Sequence, residues 1–279
     1  MAATAVSVHP MNIPGLGKPL DMAQLDVSRR MYNALAHITD RTELQTSIPG
    51  NISDLLRIID RHSMGDKFRI HSLHRHTMLA DTSIRLETDA GETGYKWANA
   101  TPIGDVDLNK VYPTFFKLHD GLLVPFEFVE GPLPIAVEAI PEAFFVEFVA
   151  YVAENKLADM VSLELGDFAD SRRRKDSVTA EIEARWGEGG VSFTLSVSIK
   201  DLVDADGKER RLVPTAWNVP ISRGRLRDSS PDKPAPGTHW NEATKPDGSK
   251  THKVHVDSSE DVTPNFLVQR LVGMGILRG

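Results

Sequence analysis

The chain has no cysteine. That one absence excludes disulfides, thiolate nucleophiles, cysteine zinc sites and iron–sulfur clusters together. Basic charge is also short: 32 Lys and Arg stand against 39 Asp and Glu, a net charge of −7. Neither a nucleic-acid surface nor an anionic membrane is therefore an expected partner. No apolar run approaches the ~20 residues that span a bilayer. The first ten residues carry neither a charged n-region nor a continuous apolar h-region, so no secretory signal is expected and an intracellular, cytoplasmic setting is the default expectation. Walker loops, Gly-x-Gly-x-x-Gly fingerprints, Gly-x-Ser-x-Gly elbows and His-Glu-x-x-His helices are all missing, as are internal repeats and heptads. The common nucleotide-binding and hydrolase classes lose their support with them.

What is present is ordinary for a globular protein. Hydrophobic residues make up 41% and charged residues 25% of 279 positions, enough for one large core or two small ones. Residues 1–20, rich in Pro and Gly, read as an arm over the surface of a single domain at 21–279. Asp21 caps an expected helix to about Ile38, Pro49-Gly50 breaks the chain, and a second short helix begins at Asn51 or Ser53. Tyr112–His119 and Leu122–Val129 flank Asp120-Gly121, the dipeptide of a type I′ hairpin, with Phe115 expected opposite Phe126. Pro125 places that second strand at an edge or interrupts its ladder. Pro141 opens the best helix, to about Lys156, with Phe144, Phe145, Phe148, Val149 and Val152 on one stripe. A second hairpin alternates Val178, Ala180, Ile182 and Ala184 with Thr179, Glu181 and Glu183, then Val191 to Ile199 with serines and threonines. It should have one wet and one dry face, the dry one covered by a helix or sheet. Residues 222–250 are polar and proline-rich, a lid or a structureless loop. Thr263-Pro264 starts a last helix. The fold expected is α+β: a mixed, mainly antiparallel sheet or open β-barrel packed against the helix at about 141–156, with the N-terminal helices outside.

The chemistry points to Lys67–Leu79, which holds three of the ten histidines. Read as one strand, alternation puts His74 and His76 with Phe68, Ile70 and Met78, and sends His71 outward with Arg69 and Arg75. A His-x-His pair on a strand presents two imidazoles on one face, their Cα atoms about 6–7 Å apart, able to share a divalent metal such as zinc or iron. The remaining ligand would come from His119, Glu127, His239, His252 or His255, with His119 the leading choice. Without metal, His74 or His76 beside Glu127, Glu87 or Glu130 would serve as general acid and base. Either histidine taken alone reads first as a hydrogen-bonded residue that stabilises a sheet core.

Leu73-His74-Arg75-His76, Ala100-Thr-Pro-Ile103 and the segment Asp120 to Pro132 together resemble a group of uncharacterised fungal proteins, over about residues 70–132. The resemblance implies no function, cofactor or site. Three readings follow from the residues themselves. The favoured one is an enzyme acting on a small, fairly apolar metabolite, a lyase, isomerase, cyclase or metal-dependent oxidoreductase, with His74, His76 and Glu127 catalytic or His74, His76 and His119 on a metal. The others are a carrier with a Phe-lined pocket for an apolar ligand, and an interaction protein docking through 222–250. A homo-oligomer is compatible with all three.

Overall fold

The computed structural model describes residues 8–37, 48–89, 95–169, 179–186, 191–198, 212–219, 238–240, 243–244, 250–251, 253–256, 263–274 and 277. Helix α1 (Met22–Asn33) starts on a capping box, in which Asp21 accepts from the Gln24 amide and the Gln24 side chain accepts from the Asp21 amide. It stops at Asn33, short of the expected Ile38, and Leu25, Ser28 and Tyr32 form its buried side. Pro49 opens α2 (Pro49–Arg61) and does not break the chain before it. Its missing N–H falls where a helix has none to use. Helix α3 (Glu142–Glu154) buries Phe144, Phe145, Phe148, Val149 and Val152, as the stripe requires. Five such side chains contribute on the order of 10 kcal/mol of transfer free energy. Helix α4 (Pro264–Gly273) is capped by the Thr263 hydroxyl.

The strands are β1 (Phe68–Ser72), β2 (Ser83–Asp89), β3 (Lys96–Pro102), β4 (Val111–His119), β5 (Leu122–Glu130), β6 (Val161–Leu165), β7 (Thr179–Trp186), β8 (Val191–Ser198), β9 (Leu212–Pro214), β10 (Ala216–Trp217), β11 (Thr238–Trp240), β12 (Ala243–Thr244), β13 (Lys250–Thr251) and β14 (Lys253–Val256). Twelve of them form one sheet in the order β10-β1-β6-β4-β5-β2-β3-β8-β7-β11-β9, with β14 also on β7; β12 and β13 pair separately. Pairing is antiparallel except for β2 with β5 and for β11 and β14 with β7. The fold is α+β, a mainly antiparallel sheet curled into a half-barrel. Most of 222–250 lies outside the described residues, as does the basic run 172–175. Of residues 222–250, Thr238–Trp240 is a strand laid parallel to β7, and Ala243–Thr244 pairs with Lys250–Thr251.

Asp120 and Gly121 both have positive φ, 49° and 79°, which is the type I′ signature at the β4–β5 turn. His119 pairs with Leu122 as expected, but Phe115 pairs with Glu127 and not Phe126. Register shifts on either side of Phe115 account for the difference. Pro125 sits at this irregularity, opposite Phe116. Strand β5 is therefore interior to the sheet, and the proline interrupts the ladder without marking an edge.

Cross-strand register separates two faces. Phe68 and Ile70 face Leu165 and Leu163, Leu163 faces Phe116, Leu86 faces Phe128, and Ala184 and Ile182 face Phe193 and Leu195. Helices cover this apolar face: α2 and α3 over β1, β4 and β6, Leu25 of α1 over Ile84, Leu86 and Phe128, and Leu267 and Leu271 of α4 over Ile182, Ala184, Leu195 and Val197. The dry face of the second hairpin thus has its cover in α4. On the other face the same registers run Arg69 to Glu164, Glu164 to Phe115, Phe115 to Glu127, Arg85 to Ala100, Glu87 to Ala98, Ala98 to Thr194, Thr194 to Glu183 and Ser196 to Glu181. This is the concave face. Its strands converge, and the side chains expected to be wet are enclosed: Arg85 is 1% exposed, Glu183 2% and Thr194 3%.

Candidate functional site

Strand β1 ends at Ser72, so alternation does not carry through to the second and third histidines. Phe68 and Ile70 go into the core beneath α3, while His71, on the opposite face, is buried on the polar side. His74 and His76 join His71 there, leaving Phe68 and Ile70 on the far face, and Met78 is exposed. The parity assignment of His74 and His76 is thus reversed by a chain that leaves the sheet two residues early, while His71 keeps its expected face beside Arg69 but is buried there. The segment beyond is fixed from outside: Arg75 donates from its backbone to Ala36 and from Nε to Leu35, His37 Nε2 lies 2.9 Å from the His76 carbonyl, and the His76 amide donates to Tyr32 Oη. Tyr32, Leu35, Leu73, Leu79 and Phe126 pack together behind it.

The rings then follow one another across the bowl. His71 and His74 centroids are 5.2 Å apart, His74 and His76 4.9 Å, and His71 meets the Phe115 ring edge-on at 4.7 Å. His74 Nδ1 lies 2.9 Å from the Ser72 carbonyl, which only accepts, so that nitrogen carries the proton and Nε2 keeps its lone pair. His76 stands between two carboxylates of β7, its Nδ1 3.6 Å from Glu183 Oε2 and its Nε2 3.7 Å from Glu181 Oε2. One ligating atom each from His74, His76 and Glu181 lies within 4.8 Å of the other two.

His76 also lines a cavity with Arg85, Glu87, Thr114, Glu127, Glu181 and Thr194 among its walls. The β4 irregularity brings the adjacent Thr114 and Phe115 to the same space. Its volume, counted at the centre of a water-sized sphere, is about 20 Å³, room for one or two waters. The charges around it are mostly matched. Glu164 takes a bidentate pair from Arg69, and Lys96 Nζ is 3.2 Å from Glu87. Burial raises both carboxyls, against the pull of those cations. Burial raises Glu127 to about 8, although Arg85 opposes it, so Glu127 holds its proton at neutral pH. Burial likewise raises Tyr32 to about 12.

Of the residues singled out beforehand, His74, His76 and Glu127 therefore meet at one site. His119 does not: it is half exposed at the hairpin tip, 3.6 Å from Asp120. Its place beside the two imidazoles is taken by Glu181. Glu130 is exposed at the end of β5, and the side chains of His239, His252 and His255 lie outside the described residues. Glu181, Glu183, Arg85, Thr114 and Thr194 were missed. The available signal was Glu-x-Glu on the supposedly wet side of a strand whose sheet has to curl.

No family model, curated protein or solved structure matches the chain. Among the described residues, no helix is long and apolar enough to cross a membrane.

Proposed function

We propose that the chain is an enzyme acting on a small polar metabolite, in which His74, His76 and Glu181 hold a divalent first-row metal and Glu127 supplies a proton. The observation that carries this reading is the convergence of two buried imidazoles and a carboxylate within 4.8 Å. Two histidines and one carboxylate are a donor set that both zinc and iron(II) accept with coordination positions left open. Outer partners support the same reading. Ser72 holds the Nδ1–H of His74, and Glu183 is placed to orient His76 through its Nδ1, the usual way ligating imidazoles are fixed.

Bound in this way, a metal would polarise a substrate oxygen. Glu127, protonated at neutral pH and on the same cavity as His76, is the general acid. That combination suits a lyase, isomerase or cyclase. The polar wall shifts the expected substrate from apolar to polar. A carrier reading loses its pocket, because the α3 phenylalanines are buried against the sheet. The metal-free alternative keeps one specific support: His76 and Glu127 share the cavity whether or not a metal is present.

Metal analysis of the full chain, purified without chelator or affinity histidines, decides between them. About one equivalent of zinc or iron is expected, falling below about 0.2 in His76→Ala and Glu181→Ala. Wild-type protein below that level, with no zinc uptake on reconstitution, removes the metal and leaves the acid–base pair.

A further inference from the structure

A guanidinium cannot shed its charge, so a buried arginine must find acceptors for its five N–H groups. Arg85 is 1% exposed and gives Nη2 to the Thr194 hydroxyl. Its Nε and Nη1 have no hydrogen-bond partner among the described residues, and neither does the buried Thr114 hydroxyl. A buried polar group left open costs stability. Three such atoms belong to two residues lining one cavity. Arg69 and Lys96, also on the bowl, have their own carboxylates at 2.5 Å and 3.2 Å. Among the described cations of the bowl, Arg85 is the one with buried donors left open.

We infer that this cavity receives the carboxylate end of a small substrate, with Arg85 as its counter-ion and the Thr114 hydroxyl as a further donor. The inference deepens the reading of the cavity as a substrate site and does not depend on the metal. Size supports it: space for one or two waters is the volume of a carboxylate head, not of a whole metabolite. The rim is accessible, since Glu87 and Glu181 each keep a quarter of their side-chain surface exposed. Charge selects a monoanion. Glu127, which shares the cavity with Arg85, is kept protonated at neutral pH by burial and so does not take up that cation's charge. A phosphate dianion would meet Glu87 and Glu181 with a single arginine of the described lining to balance it. With Nη2 held by Thr194, the open end of the fork is Nη1, and a carboxylate there makes charge-assisted bonds, the strong class.

The test uses full-length ¹⁵N-labelled protein in EDTA, following the Arg85 Nε–H resonance while sodium acetate is added at constant ionic strength and pH 7. Acetamide is the neutral isostere. A saturable millimolar response to acetate, absent with acetamide, is expected. Thr114→Val should weaken it about 3- to 10-fold, the worth of one hydrogen bond. Arg85→Lys removes the reporting Nε–H and so assigns the resonance, and Thr114→Val, which changes no charge and keeps the reporter, carries the affinity test. No saturable response, an equal response to acetamide, or a response that needs zinc and ignores Thr114→Val overturns the inference. Acetate binding without zinc uptake would leave it standing while the metal reading falls. Zinc uptake without acetate binding would do the reverse.

Discussion

Replacing Glu127 by Gln should make the protein's stability less sensitive to alkali. The carboxyl rises from 4.5 to about 8 on folding because burial disfavours its charged form more than Arg85 favours it. Between those two values the folded chain keeps a proton that the unfolded chain has lost. Raising the pH therefore favours unfolding: the contribution is complete below 4.5 and is lost as pH climbs through 8. At 1.36 kcal/mol per pH unit the ceiling on this loss is about 5 kcal/mol. Glu127 faces a cavity whose rim meets solvent, and screening brings the expected loss to about 2 kcal/mol. Glutamine has the shape and donor capacity of the protonated acid and does not titrate, so the variant lacks this slope. Urea unfolding of both proteins in EDTA, at intervals from pH 5 to 8.5, isolates the difference, because the raised Glu87 and Glu164 contribute to both curves. A stability difference that stays constant across that range would refute the claim that Glu127 is buried and neutral at pH 7.

Three further outcomes are expected. Zinc at about a hundred times its dissociation constant should add about 2.7 kcal/mol, roughly 5–10 °C in Tm by differential scanning fluorimetry, and Glu181→Gln should remove most of that rise. Phe144→Ala, at the centre of the α3 stripe and touching the Phe68 and Phe145 rings at 5.1 and 5.2 Å, should cost about 3–5 kcal/mol in urea unfolding. Gly15 has φ +78°, and an added Cβ would lie 2.5 Å from Pro113 Cδ. Gly15→Ala should therefore cost more than the roughly 1–2 kcal/mol of a left-handed alanine alone, visible as a lower urea midpoint with unchanged m.

Local signals carried most of the fold because each is read by chemistry within a few residues. Asp120-Gly121 supplies two positive φ values, the α3 stripe buries five large side chains, and the β7–β8 hairpin pairs as its alternation demands. The failures have a common physical origin. Alternation says which side chains share a face of a strand, and it stops applying when the strand stops. Strand β1 ends at Ser72, pulled off the sheet by bonds from Arg75 to residues 35 and 36, some forty positions earlier. No window of the sequence around Lys67–Leu79 contains that information.

Nor does alternation say whether a polar face meets water. Glu181, Glu183, Arg85 and Thr194 sit where a solvated face was expected, and the curl of the sheet encloses them. Enclosure changes the cost of each group, because a surface carboxylate needs no partner and a buried one does. The polar face therefore had to be built as a network: Arg69 on Glu164, Lys96 near Glu87, Arg85 on Thr194, and His76 between Glu181 and Glu183. A protein that needed only stability could fill the same bowl with leucine and valine, as it does on the face under the helices. Retaining a buried arginine with open donors beside a neutral glutamic acid costs stability that apolar packing would not. That sacrifice is expected where a ligand supplies the missing partners, which is why the concave face, and not the Phe-rich helix, is where turnover should be sought.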